Sequence, residues 1–260
     1  MNLIQSLSLG AVQGLTEFLP VSSSGHLALV NSLFKLPFDN LFFEVLLHLG
    51  TLFAVILYMH KKIWRLLKGG IAELTEKKSG KKENLRYIGL VILGIVPAVI
   101  FAVLFDEAIE EAFSKLLYVG IFFLITSLML YATKFFRGDS PLSLKSALAV
   151  GFAQVIALMP GISRSGTTIS AGIFAGMKRE EACDYSFFMA IPLIFGAFMK
   201  ELINVKPVFE WVMAAGFLAS FAFGYASVFF LYRILKSNRF YYFSYYLAAV
   251  GIFTVIRSIS

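Results

Sequence analysis

Apolar residues in this chain come in long unbroken runs, not in alternation with polar ones. The runs cover 2–19, 26–36, 42–59, 87–105, 117–133, 147–159, 167–177, 186–200, 208–231 and 240–257. A helix needs about 20 residues to cross the hydrocarbon core of a bilayer. Six runs approach or reach that length, 42–59, 87–105, 117–133, 186–200, 208–231 and 240–257, and they predict six transmembrane helices. A membrane barrel would instead show alternating strands of about ten residues. The other four runs form two pairs. Pro20 through Gly25 divides 2–19 from 26–36, and Pro160 through Gly166 divides 147–159 from 167–177. At least one arm of each pair is too short to span. Irregular backbone at membrane depth is tolerated only inside protein or along a wet cavity. The pairs therefore predict two re-entrant helix hairpins.

Composition agrees with a lipid-solvated body: 58% of the 260 residues are hydrophobic and 15% are charged. A soluble domain carries about 25% charged residues, so a soluble single-core enzyme and a disordered chain are both excluded. The net charge of +7 points to basic cytoplasmic loops before it points to nucleic acid, and no nucleic-acid partner is expected. Lys61, Lys62, Arg65, Lys68, Lys77, Lys78, Lys81, Lys82 and Arg86 crowd the loop 60–86 and place it inside. Asp106, Glu107, Glu110 and Glu111 put the loop 106–115 outside. Loops 134–146 and 232–239, with Lys134, Arg137, Lys145, Arg233, Lys236 and Arg239, return inside. The single Cys183 leaves no intramolecular disulfide and no cysteine zinc cluster. The N-terminus has neither a basic region nor an Ala-x-Ala site, so no cleaved signal is expected.

The two halves resemble each other. When Gly10 is laid on Gly151, Gln13 meets Gln154, Ser22 meets Ser163, Ser24 meets Ser165 and Gly25 meets Gly166. Pro20 and Pro160 are one place out of step. Each half holds one hairpin and three spans, and an odd number of spans inverts the second half, as in many transporters. The expected fold is an all-α polytopic membrane protein. It has six transmembrane helices, two re-entrant hairpins and inverted repeats of about 1–134 and 145–260 within one integral membrane domain, 1–260.

Ionisable residues inside a membrane are costly unless paired or wet. Here they are Glu17, His26, Glu44, His48 and Arg164. Gln13 and Glu17, four apart, share a helix face. Pro20 ends that helix, and Ser22, Ser23 and Ser24 stand where the next begins, as N-caps do. Pro160 through Gly166 repeats the pattern with Ser163, Arg164 and Ser165, and Thr168 follows. Free N–H groups at a helix start bind phosphate, and arginine offers a planar fork suited to it. Glu17 adds a hard oxygen that suits Mg²⁺ or Ca²⁺ completed by substrate phosphates. Blander readings stand beside these. The serines can be plain caps, Glu17 a structural partner of Arg164, and His26 a satisfied core histidine. Glu44 and His48 can be a structural pair or can orient the site from behind. The aromatic cluster Phe240, Tyr241, Tyr242, Phe243, Tyr245 and Tyr246 reads as an interfacial belt.

At these residues the chain resembles a known family. Gln13-Gly-Leu-Thr-Glu17-Phe-Leu-Pro-Val-Ser-Ser-Ser-Gly-His26 is similar to the first signature of the bacterial undecaprenyl-diphosphate phosphatases of the bacitracin-resistance type. Pro160-Gly-Ile-Ser-Arg164-Ser-Gly-Thr-Thr168 resembles the second, and Phe43-Glu44 through Leu49-Gly50-Thr51 also fits. The resemblance implies hydrolysis of undecaprenyl diphosphate to undecaprenyl phosphate and inorganic phosphate. That reaction recycles the lipid carrier of cell-wall synthesis and confers bacitracin resistance. It implies a divalent cation, a multi-pass protein of the bacterial cell membrane, and a site toward the outer face. The reading allows a homodimer.

Carried over residue by residue, Glu17 falls on the acidic position for metal or acid–base work. Gln13 falls on a position filled by Glu or Gln, where it can give metal only a neutral oxygen. Ser23 and His26 fall on the positions of the nucleophile or its helper, and Arg164 on the phosphate-binding arginine. Ser22, Ser24, Ser163, Ser165 and Thr168 would line the same pocket. Two chemistries stay open. In one, Ser23 attacks phosphorus with His26 as base. In the other, His26 or Glu17 activates water, or His26 is itself the nucleophile. A polyprenyl-phosphate transporter or flippase is the rival function, since broken helices and inverted repeats also serve transport. A type 2 phosphatidic acid phosphatase is excluded, because Ser170 and Phe174 stand where that family has its second His and its Asp.

Overall fold

A computed structural model describes residues 1–34, 41–75, 82–105, 109, 111–112, 115–204 and 210–259. Asp106, Glu107 and Glu110 of the acidic loop lie outside the described residues, as do Lys77, Lys78 and Lys81 of the basic loop. Ten α-helices are described: α1 Leu3–Phe18, α2 Ser23–Phe34, α3 Leu41–Thr75, α4 Glu83–Leu104, α5 Leu116–Ala132, α6 Leu144–Ile156, α7 Arg164–Phe174, α8 Arg179–Asn204, α9 Trp211–Lys236 and α10 Phe243–Ile259. Six of them, α3, α4, α5, α8, α9 and α10, lie in stretches long and apolar enough to cross a membrane. The fold among the described residues is all-α.

The other four helices have 16, 12, 13 and 11 residues (α1, α2, α6 and α7). At about 1.5 Å per residue none reaches across the roughly 30 Å hydrocarbon core. Local chemistry fixes their ends. Asn2 and Gln5 form a reciprocal capping box at the start of α1, each bond 2.9 Å long. Leu19 precedes Pro20 and is extended, at φ −62° and ψ 145°, so α1 stops at Phe18. A proline's ring pushes the preceding residue out of the helical region.

The α3 helix runs well past the apolar stretch 42–59, through Thr75. Lys61, Lys62, Arg65 and Lys68 therefore stand on a helix and not in a loop. The apolar run ends near His60, but Leu, Lys, Arg, Ala and Glu are all good helix formers, so the backbone carries on. Glu73 then closes the turn to α4. Its carboxylate accepts the N–H groups of Asn84 and Leu85 at 3.0 and 2.9 Å, a favourable place for negative charge.

Packing crosses between the halves. The first short pair lays α1 along α9, and the second lays α6 along α4. Between them α3 packs on α8, and α5 on α10. Lys62 Nζ reaches both carboxylate oxygens of Asp184 at 2.6 Å. Tyr232 donates to the same carboxylate, which ties α3, α8 and α9 together at one end. Phe18, Phe123, Tyr185 and Phe187 fill the interior, while Leu128, Phe152 and Trp211 stay exposed on the outside. An apolar exterior is what a lipid-solvated surface requires. Of the aromatic cluster, Tyr242, Tyr245 and Tyr246 keep about half their surface exposed, as a belt requires, but two members also face inward. Phe240 is completely buried, and the Tyr246 hydroxyl turns inward to His26.

Candidate active site

The breaks between the two short helix pairs meet each other. A Cβ on Gly25 would lie 2.9 Å from Gly161 Cα, and one on Gly166 would lie 3.2 Å from Pro20 Cβ. At Gly25 a Cβ would force something to shift, so glycine is what lets the turns approach there, while at Gly166 the fit would be tight. Ser165 Oγ donates across the junction to the Leu19 carbonyl at 3.1 Å. The two turns are also built alike. Ser22 Oγ accepts the Gly25 N–H at 3.3 Å and lies 3.4 Å from Ser24 Oγ. Ser163 Oγ accepts the Gly166 N–H at 3.1 Å and lies 3.2 Å from Ser165 Oγ. These serines cap the starts of α2 and α7, whose free N–H groups face the same junction.

The charge centre of the junction is Glu17, at the last turn of α1. Its Oε2 accepts the Ser23 hydroxyl at 2.6 Å and the Gln13 amide at 2.9 Å. Its Oε1 accepts Arg164 Nη2. The Gln13 amide also donates to His48 Nδ1 at 2.7 Å, and that nitrogen lies 3.3 Å from Glu17 Oε2. The Glu17 side chain is 5% exposed, while His48 and Arg164 keep 30% and 20% exposure. The carboxylate is therefore enclosed, and its partners reach open space. Arg164 commits one nitrogen to Glu17, which leaves the rest of its fork for a ligand.

His26 does not join this cluster. Its Nδ1 lies 2.8 Å from the Ser22 carbonyl, and its Nε2 lies 2.8 Å from the Tyr246 hydroxyl. Thr168 turns away as well, with its hydroxyl on the Arg164 carbonyl at 2.7 Å and on Ser186 Oγ at 2.6 Å. Ser163 is buried behind its cap, and Glu44 sits one turn from His48 on α3. Sequence reasoning overlooked Tyr246 and Ser186. An aromatic beside other aromatics and a serine in an apolar run carry no local mark of such contacts.

The donors on hand for a cation are few. Among the described residues no group of three His, Cys, Asp or Glu side chains converges. Gln13 Oε1, beside Glu17, is one of several buried oxygens with no hydrogen-bond partner among the described residues. An amide oxygen beside one carboxylate is a poor cage for a bare ion. It suits a hydrated Mg²⁺ or Ca²⁺ that completes its shell with substrate phosphates. A cavity of about 490 Å³ opens elsewhere, between α9 and α10, with Tyr246 among its lining residues.

Residues 6–253 match the family model described as bacitracin resistance protein BacA. The chain is 39% identical to an undecaprenyl-diphosphatase of Methanosphaera stadtmanae, covering all of this chain and 99% of the relative. It is 41% identical to one of Korarchaeum cryptofilum, over 97% of this chain and 98% of the relative. It is 36% identical to one of Treponema denticola, over 97% and 96%.

Proposed function

The chain belongs to the bacitracin resistance protein BacA family, and from that membership we propose an enzyme that hydrolyses undecaprenyl diphosphate to undecaprenyl phosphate and inorganic phosphate. It recycles the lipid carrier for cell-wall synthesis and confers bacitracin resistance. It is a multi-pass protein of the cell membrane, and the isoprenoid tail of its substrate lies in that membrane. The observation that carries the chemistry is Ser23 Oγ on Glu17 Oε2 at 2.6 Å, with Arg164 on the other oxygen.

In this reading Ser23 is the nucleophile and Glu17 its base. The Ser23 proton passes to Glu17 as Oγ bonds to the terminal phosphorus. The bond from that phosphorus to the bridging oxygen breaks, and undecaprenyl phosphate leaves with the bridging oxygen. Glu17 gives the Ser23 proton up to solvent. Water then attacks the phosphoserine and passes a proton to the restored carboxylate. As the P–Oγ bond breaks, Glu17 returns that proton to Ser23 Oγ and phosphate leaves. Arg164 and the N–H groups at the starts of α2 and α7 neutralise the equatorial oxygens as charge develops. Ser22 and Ser163 cap those helix starts, with Ser24 and Ser165 beside them. Gln13 and His48 hold the carboxylate in line. A Mg²⁺ or Ca²⁺ at Gln13 and Glu17 would supply Lewis-acid neutralisation of the diphosphate.

The same reading takes α1–α2 and α6–α7 as re-entrant hairpins of an inverted repeat. The matched caps and the crossed packing of α1 on α9 and α6 on α4 support this. It opens the site to the outer face, away from the basic end of α3. The test is phosphate release from undecaprenyl diphosphate by purified protein in detergent, where no two-sided compartment exists. Release with a trapped phosphate on Ser23 supports the reading. Binding without release returns the transporter.

A further inference from the structure

We infer that Tyr246, on the far α10, is a positioning residue for the nucleophilic turn, acting through His26 as a clamp. The role for Ser23 rests on the phosphatase reading; the clamp itself rests on geometry alone. The Ser22 carbonyl can only accept, so His26 Nδ1, at 2.8 Å from it, must carry a proton. His26 is buried, and no carboxylate forms an ion pair with it among the described residues. A neutral ring protonated on Nδ1 leaves Nε2 bare. The Tyr246 hydroxyl, 2.8 Å away, donates to it.

The two rings lie nearly parallel, at 6° with centroids 5.7 Å apart, while Phe123 abuts the imidazole edge-on at 5.1 Å. His26 therefore has no free rotamer and no free nitrogen. This is the environment of a fixed strut and not of a mobile base.

What the strut holds is unusual backbone. Ser22 has φ +67°, a left-handed conformation that L residues seldom adopt. Its carbonyl accepts both the His26 side chain and the His26 N–H, the latter at 3.2 Å. Ser23 follows directly, so the direction of its side chain is set by the Ser22 dihedrals. The second turn lacks the device. Ser163 has φ −73°, and Thr167 stands where a histidine would be. The clamp is thus confined to the turn that presents Ser23 to Glu17. Loss of the Tyr246 hydroxyl frees the imidazole to swing, and the Ser22 turn relaxes toward ordinary backbone.

The experiment is ¹⁵N-histidine NMR of the full-length protein in detergent, combined with kinetics. The chain has three histidines, and His26→Gln assigns the His26 signal. The wild type should show His26 protonated on Nδ1, with Nε2 as a hydrogen-bonded acceptor. Tyr246→Phe keeps the ring and removes the hydroxyl. It should move the Nε2 resonance toward a free acceptor and lower kcat about five- to tenfold with KM little changed, as loss of one part-buried hydrogen bond would. Tyr246→Leu, which also removes the ring, should cost more. A wild-type His26 protonated on Nε2 overturns the proposal, as does a Tyr246→Phe protein with unchanged His26 signals. So does a change confined to KM. If the wild type releases no phosphate, the phosphatase reading fails while the spectrum still judges the clamp.

Discussion

Ser23 and Arg164 occupy the same place in their two turns, each one residue after a capping serine, and both bind the single carboxylate of Glu17. The two similarly capped turns thus supply one pair of equivalent positions and fill them with different chemistry: a hydroxyl from the first turn, a guanidinium from the second. Glu17 has no such twin. Leu158 stands at its place in the second half, and Met189 at the place of His48. Gln154, the counterpart of Gln13, is buried with neither amide atom partnered. The two turns therefore converge on one carboxylate.

This asymmetry makes Ser23→Ala and Glu17→Gln the decisive pair. Ser23→Ala removes the attacking oxygen and should abolish both turnover and any trapped phosphoprotein, with the fold intact by thermal melt. Glu17→Gln keeps the shape but cannot take a proton. General base catalysis is worth roughly 10²–10⁴-fold, so kcat should fall within that range. Phosphate release in detergent reads both. Full activity in Ser23→Ala would remove serine from the mechanism and return the step to water or His26.

Arg164 offers a sharper contrast. Arg164→Lys preserves the positive charge, and with it the ion pair to Glu17, but loses the planar fork. The protein should stay folded while kcat/KM falls at least about tenfold, the worth of roughly 1.4 kcal/mol. Arg164→Ala leaves the buried Glu17 charge without its cation, which costs about 3–5 kcal/mol, so that variant should lose thermal stability as well. Equal melting points for the two variants would argue against a stabilising role for the pair.

The six spans, the two broken pairs and the residues around them were legible because each is a local property. Run length gives a span, a proline gives a break, and a serine after it gives a cap. The length of α3 was not legible, since hydropathy marks where apolarity stops and not where helix stops. Nor were the partners. Arg164 lies 147 positions from Glu17, and Tyr246 lies 220 from His26. No periodicity records such contacts. The Ser23 hydroxyl is the clearest case: His26 stands close to Ser23 in sequence, yet that hydroxyl points to Glu17.

The orphaned Gln13 Oε1 leads to a prediction about the cation. Chelation should stop phosphate release, and Mg²⁺ or Ca²⁺ should restore it. Gln13→Ala deletes the neutral oxygen and also the amide that holds Glu17 and His48 together. The cation concentration giving half-maximal activity should rise about tenfold or more, as expected when a metal ligand or its support is lost. A titration of activity against metal for both proteins reads the shift. Undiminished release in chelator would remove the cation from the mechanism.

The close contact of α1 with α9 predicts how the first pair of helices is held in place. A Cβ on Gly14 would lie 2.6 Å from the Ser220 carbonyl oxygen and 2.8 Å from the Gly224 nitrogen, both backbone atoms that cannot step aside. Ser227 Oγ also donates to the Gly14 carbonyl at 2.9 Å. Gly14→Ala should therefore push the helices apart and cost about 1–3 kcal/mol, as overpacking does. It also lies one turn from Glu17, so activity should fall with the melting temperature. Gly89 in α4 is the control, for a Cβ there meets nothing within 4 Å. Gly89→Ala should be neutral or stabilising by about 0.4–1 kcal/mol through the unfolded state and helix propensity. Thermal melts in one detergent compare the two directly. Equal effects at both positions would show that helix propensity, and not the α1–α9 contact, governs what a methyl does in this fold.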